Sequence, residues 1–179
     1  MKTMDDCYFE KYIEEYDTKV TPLDLEYGKE DEFGVVYSLD GKRLLKCNQH
    51  EMKYYEVHPN TEIICDEAFY ELLAIGCCPY SGLNLNEIKL PNSIKVIGKN
   101  AFKCSTLHTI NLPDGLLYVG SYAFYDTRIN QIKLPNSLRY IGDFAFGLIF
   151  DLKEICIPAG VTSLGQAPFC NCYDLEKGA

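Results

Sequence analysis

The stretch LPNSIKVIGKNAF, from Leu90 to Phe102, determines the architecture of the chain because the chain repeats it. An earlier and more degenerate copy, VHPNTEIICDEAF, begins at Val57. Three later copies follow at steps of 22, 22 and 23 residues: LPDGLLYVGSYAF from Leu112, LPNSLRYIGDFAF from Leu134 and IPAGVTSLGQAPF from Ile157. A unit of this length cannot bury its own apolar face, so such copies stack into a solenoid with one continuous core.

Each copy begins with a short strand and a stop signal. The alternating pattern before the proline, as in Leu85-x-x-Ile88-x-Leu90, predicts a short strand with one buried face. The proline that follows has no N–H to donate to a ladder, so the strand ends there. We expect the five strands to line one parallel sheet.

Two further slots of the repeat indicate how the coils pack. A glycine in four copies indicates either a positive φ or a close backbone approach, and Cys65 in the same slot of the first copy favours the close approach. The phenylalanine that ends each copy is predicted to point inward. These rings should form an offset aromatic column made of Phe69, Phe102, Phe124, Phe146 and Phe169.

Composition and charge limit the function classes. The chain has 179 residues, of which 47% are hydrophobic, and a formal net charge of -9, which indicates a single globular unit. Residues 1–32 hold 11 acidic and 4 basic side chains, which argues against nucleic acid as a partner. No apolar run approaches the roughly 18 residues of a membrane helix, and Met1 is not followed by the apolar core of a secretory signal. We therefore expect no membrane insertion and, if the chain is complete, a cytoplasmic protein.

The cysteines are interpreted as reduced thiols that act as small apolar residues. The chain has 9 of them, an odd number, and it is long enough to bury a core without staples. Disulfides or a metal site at Cys77-Cys78 or Cys170-Asn171-Cys172 are the alternative, but neither pair has the spacing of a zinc motif. We expect neither a metal nor a cofactor.

The pattern LxxIxLPxxIxxIGxxAF, carried by residues 52–179, resembles the BspA-like leucine-rich repeats. The resemblance implies an α/β-type solenoid, wound as a right-handed superhelix with one parallel sheet of short strands. Residues 1–51 would form an acidic cap with a helix and a β-hairpin, and residues 52–179 about five repeats with an insertion within 70–87. The asparagine that often closes the strand turn is absent, and backbone groups there need other partners: Ser93, Gly115, Ser137 and Gly160 hold its place.

The cap has two predicted elements. GVVYSLDGKRLLKC, from Gly34 to Cys47, places two apolar strands around Asp40-Gly41, which is a strong hairpin signal. Family resemblance suggests that this hairpin covers the open end of the solenoid. Upstream, apolar residues at helical spacing predict a short amphipathic helix whose stripe is either a capping surface or a docking site: Tyr8, Phe9, Tyr12, Ile13 and Tyr16.

Two segments leave alternatives open. The insertion ELLAIGCCPYSGLN, from Glu71 to Asn84, either folds over the convex side or projects as a binding loop. Near the C-terminus, Leu175 begins another strand, but Gly178 stands where the buried residue belongs. That end is therefore open, and it either pairs with a second copy or belongs to a longer array.

The sequence contains no recognisable cluster of catalytic residues. His50, His58 and His108 have no pairwise ligand spacing, and there is no glycine-rich phosphate loop, GxSxG or HExxH motif. An enzyme would have to rely on a thiol reaction at Cys156, which the register places on the outward face of a strand.

A surface remains as the candidate site. The outward strand positions form two ladders: Tyr54, Glu87, Thr109, Gln131 and Glu154 in one, and Glu56, Lys89, Asn111, Lys133 and Cys156 in the other. We expect a non-enzymatic module that binds a protein or peptide. Family resemblance suggests a cell-surface or secreted adhesion protein with host extracellular-matrix ligands. The alternative is a structural subunit that forms homo-oligomers through its open C-terminal repeat.

Overall fold

A computed structural model describes residues 16–49, 51–70 and 84–175. Residues 8–15 of the predicted Tyr8–Tyr16 helix, residues 71–83 of the Glu71–Asn84 insertion and residues 176–179 lie outside that range. In the described range, the helix α1 spans Pro22–Tyr27. The strands are β1 (Lys29–Glu30), β2 (Val35–Tyr37), β3 (Arg43–Cys47), β4 (Tyr54–Glu56), β5 (Ile63–Ile64), β6 (Glu87–Lys89), β7 (Val96–Ile97), β8 (Thr109–Ile110), β9 (Tyr118–Val119), β10 (Tyr140–Ile141) and β11 (Ser163–Leu164).

The strands form two sheets, so the prediction of one sheet is wrong. The strands before the prolines form a short parallel sheet in the order β4-β6-β8. The residue pairs before the glycine slot form a long sheet together with the three strands of the cap. Its order is β1-β2-β3-β5-β7-β9-β10-β11, and it is parallel from β3 onward. Between them the described part of each coil runs through turns rather than a helix, so the α/β-type expectation is also corrected.

The short sheet does not continue through five coils as predicted. After β8 it holds a single bridge between Thr109 and Gln131, and residues 152–157 have no strand partner in the described part of the chain. The last step of the repeat has 23 residues instead of 22, and its extra residue lies between Phe146 and Leu152. The extra residue comes before residues 152–157 and displaces them by one position relative to the preceding coil. The long sheet is paired again at β11.

The predicted hairpin is present and extends the long sheet. β2 and β3 pair antiparallel, and Gly41 in the turn adopts φ 71°, as the Asp40-Gly41 signal requires. β3 then pairs in parallel with β5 of the first coil. Leu44 and Leu45 are buried by this docking, so the hairpin closes the solenoid at its N-terminal end.

The predicted aromatic column is confirmed. Ring centroids of successive phenylalanines from Phe69 to Phe169 lie 5.1, 5.3, 5.3 and 5.6 Å apart, with planes inclined by 10–14°. Nearly parallel rings at this separation are offset rather than face to face. The first four rings are buried, and Phe169 is partly exposed at the end of the described stack.

The glycine slot serves close approach, as Cys65 indicated. None of the four glycines has a positive φ, but a Cβ atom on Gly120 would lie 2.6 Å from the carbonyl carbon of Gly98 in the preceding coil. The equivalent atom on Gly98 would lie 2.7 Å from the carbonyl carbon of Cys65. Cys65 itself faces the hairpin and not a full coil. Its side chain is buried beside Val36 and Leu45 of that hairpin.

Positive φ occurs elsewhere in the repeat, at residues that are not glycine. The residue before the conserved Ala/Pro-Phe pair of each copy has φ between 45° and 60°, as does the second residue after the phenylalanine in the later copies. This conformation turns the N–H toward the next coil: Tyr122 N donates to Asp143 O, and Asp126 N to Gly147 O. The members are Glu67, Asn100, Tyr122, Phe144 and Ala167 in the first series, and Cys104, Asp126, Leu148 and Asn171 in the second.

Serines replace the missing asparagine in joining coils. Ser93 Oγ donates to the carbonyls of Pro59 (2.8 Å) and Thr61 (2.6 Å), and Ser137 Oγ donates to Leu116 O (2.6 Å). Backbone groups of the preceding coil thereby gain the partners that the sequence required.

Candidate functional site

The outward face of the short sheet brings together part of the predicted surface. The first ladder is in register, with Tyr54 opposite Glu87, Glu87 opposite Thr109, and Thr109 opposite Gln131. Tyr55 and Ile88 beside them point into the core, so alternation fixes which side chains face outward. Tyr54 has 51% of its surface exposed and is the large apolar group on this face.

The second ladder is shorter. Glu56 lies opposite Lys89, and Lys89 Nζ donates to Glu56 Oε1 at 2.7 Å. This hydrogen bond raises the pKa of Lys89, but both side chains are largely exposed, so the pair adds little to stability. The pair places one positive and one negative group side by side on this face.

The remaining predicted residues are exposed but lie outside the strand pairing of the described chain: Asn111, Lys133, Glu154 and Cys156. Cys156 carries a free thiol at an exposed position, but it does not lie on a described strand as the register predicted. The structure therefore assembles six of the ten predicted residues into a paired patch and leaves four beside it.

A buried hydrogen-bond chain fixes the first strand of this face to the cap. The Tyr55 hydroxyl donates to Asp31 Oδ2 (2.6 Å) and accepts from the Tyr37 hydroxyl (2.5 Å). The backbone N–H of His58 donates to the Tyr37 oxygen at 3.3 Å. Burial raises the pKa of both tyrosines, so they stay protonated at neutral pH. The sequence did not predict this hydrogen-bond chain because its residues come from different strands and loops.

A second missed cluster lies at the edge of the coils. Lys103 Nζ lies 5.2, 5.5 and 5.8 Å from the ring centroids of Tyr70, Tyr122 and Tyr125, within cation–π range of all three. Phe144 stacks on Tyr122 with centroids 5.1 Å apart. The residues recur at the spacing of the repeat, which was the available signal.

Catalytic and metal chemistry gain no support from the described residues. His58 and His108 are exposed on different coils, and His50 lies outside the described range. No group of three His, Cys, Asp or Glu side chains that could hold a metal ion occurs in residues 16–49, 51–70 and 84–175. Cys65, Cys156, Cys170 and Cys172 carry free thiols, and Cys172 Sγ donates to Phe146 O at 3.1 Å. The same stretches contain no helix that is long and apolar enough to cross a membrane.

Comparison with solved structures finds bacterial relatives at low sequence identity. A leucine-rich-repeat protein from Bacteroides ovatus matches with a TM-score of 0.55 and 22% identity, over 89% of this chain and 46% of that one. The pneumococcal vaccine antigen PcpA matches with a TM-score of 0.50 and 20% identity, over 84% of this chain and 30% of that one. This chain thus spans less than half the length of either protein, and the likeness shows the fold alone. No curated protein matches the sequence significantly.

A family model matches most of the chain. The model is the BspA type leucine rich repeat region, and it finds 6 copies over residues 46–176, one more than the five registered above. The family is one of repeat proteins rather than of a catalytic domain, and it supports a protein-interaction module in general terms. With this match over its repeats, the chain belongs to the BspA-type leucine-rich-repeat family.

Proposed function

We propose that this chain is a non-enzymatic recognition module that binds a protein or peptide through the outward face of the short sheet. The observation that supports the proposal is the in-register row Tyr54, Glu87, Thr109 and Gln131, flanked by the Glu56–Lys89 pair. These side chains stand on strands whose inner faces are locked into the core, so a partner would meet a rigid pattern of charges beside one exposed aromatic ring.

The size of the face limits how it binds. Four coils at roughly 4.8 Å spacing give the face a width of only about 15 Å. The area of such a narrow face falls short of the roughly 800 Å² that each partner buries in a standard interface. A partner would therefore also contact residues beside the paired patch, and we propose that Asn111, Lys133, Glu154 and Cys156 contribute there. We further propose, by analogy with the family, that the ligands are extracellular proteins such as host matrix components and that the role is adhesion.

The test is a surface plasmon resonance screen of the whole chain against purified matrix proteins, repeated with Tyr54→Ala and with Glu87→Lys. Both side chains are exposed, so the variants should keep their melting temperatures. We expect each to weaken binding about tenfold, the loss of roughly 1.4 kcal/mol. A ligand that binds both variants as tightly as the parent chain would remove the short sheet from the proposal. The lack of any ligand in the panel would remove the matrix-adhesion role.

The competing function is a structural subunit that assembles through its last coil. Large apolar side chains are exposed there, with Leu164 at 49% and Ile157 at 46%, and β11 is the last described strand of the long sheet. Such an edge can pair with a second copy. Concentration-dependent sedimentation that Leu164→Lys abolishes would favour assembly, and a monomer at high concentration would count against it.

A thiol enzyme at Cys156 is a remote third candidate. The exposed free thiol is its one supporting feature. An ordinary rate of alkylation at Cys156 would discard this reading.

A further inference from the structure

The N-terminal cap carries a second exposed apolar surface that the strand face does not use. Helix α1 has no buried residue, and Leu23 and Tyr27 on it are 62% and 60% exposed. Leu39, at the tip of the β2–β3 hairpin, is 62% exposed. These side chains border one groove of about 480 Å³, hereafter the cap groove, whose size suits a side chain or short peptide segment.

The floor of the cap groove is polar and fixed. Arg43 Nη1 donates to Asp24 Oδ1 at 2.9 Å, and Asp24 Oδ2 also accepts from the backbone N–H and hydroxyl of Thr21 at 2.8 Å each. A second guanidinium nitrogen of Arg43 donates to Lys19 O. These contacts engage both terminal nitrogens of Arg43, so the Asp24–Arg43 pair supports the groove walls, while Arg43 Nε is buried without a hydrogen-bond partner among the described residues.

Asp40 differs from Asp24 in having an oxygen to spare. The Ser38 hydroxyl and the Lys42 N–H both donate to Asp40 Oδ1, at 2.6 and 3.1 Å. Neither reaches Oδ2, which receives no hydrogen bond from the described part of the chain. These donors also lower the pKa of Asp40, with the Ser38 hydroxyl the largest cause, so the carboxylate is charged at neutral pH.

The surrounding charge favours a cationic partner. The charged side chains that line the groove are Asp24, Asp40 and Arg43, and Arg43 is paired with Asp24, so Asp40 is the lining charge that no other lining residue neutralises. An apolar groove that carries the Asp40 carboxylate matches an apolar side chain beside lysine or arginine better than one beside an acidic residue.

From these observations we propose that the cap groove binds a basic segment of a partner protein, with a leucine-like side chain between Leu23 and Leu39 and a cation on Asp40. This site lies on the cap and is independent of the strand face, so each can fail without the other.

The probe is a fluorescein-labelled hexapeptide, Lys-Lys-Leu-Leu-Lys-Lys, titrated against the whole chain by fluorescence anisotropy at low salt. The matched peptides Glu-Glu-Leu-Leu-Glu-Glu and Lys-Lys-Ser-Ser-Lys-Lys separate charge from apolar contact. We expect the first probe to bind at least about tenfold more tightly than Lys-Lys-Ser-Ser-Lys-Lys, since one buried leucine suffices for such a factor. Against Glu-Glu-Leu-Leu-Glu-Glu we expect about fivefold, because ion pairs at exposed side chains are weak. Equal binding of the three peptides would overturn the proposal.

The protein variants locate the site. Leu23→Ser with Leu39→Ser should weaken the probe about tenfold, and Asp40→Asn should weaken it about two- to fivefold. Leu164→Ser, which changes an exposed leucine in the last described coil, should leave it within about twofold. Tyr54→Ala should also leave it unchanged, which separates this site from the strand face. Unaltered binding to the double serine variant would overturn the proposal. A dimer of the parent chain that this variant dissociates would overturn it in favour of a second copy as the occupant.

Discussion

The ring of Phe124 lies parallel to that of Phe102, with centroids 5.3 Å apart and planes inclined by 10°, and the same relationship continues to Phe146. Each ring therefore contacts the coil before it and the coil after it. Because a solenoid is stabilised by neighbour contacts, a ring in the middle of the column supports two interfaces at once.

Replacing that ring tests the column. We expect Phe124→Ala to reduce the free energy of unfolding by about 3–5 kcal/mol, the usual range for a buried aromatic residue. Phe150→Ala is the matched control, because Phe150 is 41% exposed and should cost about 1 kcal/mol or less. Urea melts of both variants make the measurement. A loss below about 1 kcal/mol for Phe124→Ala would show that the column does not carry the stability assigned to it.

The close approach at the glycine slot is tested by adding one methyl group. A Cβ on Gly120 would meet backbone atoms of Gly98 and Lys99 at 2.6 Å, and backbone atoms cannot rotate away. Gly120→Ala should therefore cost about 1–3 kcal/mol in unfolding free energy. Gly115→Ala adds the same group where the nearest atom, Asn92 O, is 3.3 Å away, so it should be closer to neutral. Equal losses in thermal melts of the two variants would contradict this explanation.

Periodic side chains made much of this fold predictable. Three features depend on residue types that indicate their structural role directly: the phenylalanine column, the hairpin at Asp40-Gly41 and the close approach at Cys65. The outward direction of Tyr54 and Glu87 followed from alternation with the buried Tyr55 and Ile88.

The features that were missed have physical reasons. A two-residue strand such as β7 is too short to show alternation, so only its β-branched character marked the long sheet. Tyr122 and Phe144 adopt positive φ although neither residue prefers it, because the N–H must reach the next coil. Conformations imposed by stacking leave no local mark in the sequence.

The positive φ of the repeat gives a stabilising substitution. Ala167 has φ 45° and is exposed, so its side chain contributes strain and little packing. A left-handed non-glycine residue costs about 1–2 kcal/mol, and glycine loses roughly 0.5–1 kcal/mol more in backbone entropy. Ala167→Gly should therefore stabilise the last coil by about 0.5–1 kcal/mol.

Ala159→Gly is the matched control in the same coil. Ala159 is also exposed but lacks a positive φ, so the change should destabilise by about 0.5–1 kcal/mol. Native-state hydrogen exchange of the amides in residues 158–170 reports both effects. The strain argument would fail if the two glycine variants shifted protection in the same direction.

The hydrogen bond from Tyr55 to Asp31 predicts a cap that depends on one hydroxyl group. Tyr55→Phe leaves the ring in place but removes the donor to Asp31 and the acceptor for Tyr37. A buried polar group left without its partner costs about 1–3 kcal/mol, so we expect a loss of that size in chemical denaturation. Tyr54→Phe is the control, since that side chain is exposed on the neighbouring position and should change stability by about 0.5 kcal/mol or less. If Tyr55→Phe left the free energy of unfolding unchanged, the hydrogen-bond chain would not stabilise the cap.

Acid should weaken the cap through Asp24. Hydrogen bonds from Thr21 and then the charge of Arg43 hold the pKa of Asp24 below its usual value of 3.8. A carboxyl group whose pKa is depressed in the folded state stabilises the fold above its unfolded pKa, and this contribution is lost as the pH falls through the folded pKa. Asp24→Asn should therefore cost stability at pH 7, by about 1 kcal/mol given the partial exposure of the pair, and the difference from the parent chain should shrink below about pH 4. Urea melts at pH 7 and pH 3 measure this difference, with the exposed Asp151→Asn as control. A difference between parent and Asp24→Asn that is as large at pH 3 as at pH 7 would mean that the capping geometry matters at Asp24 and the charge does not.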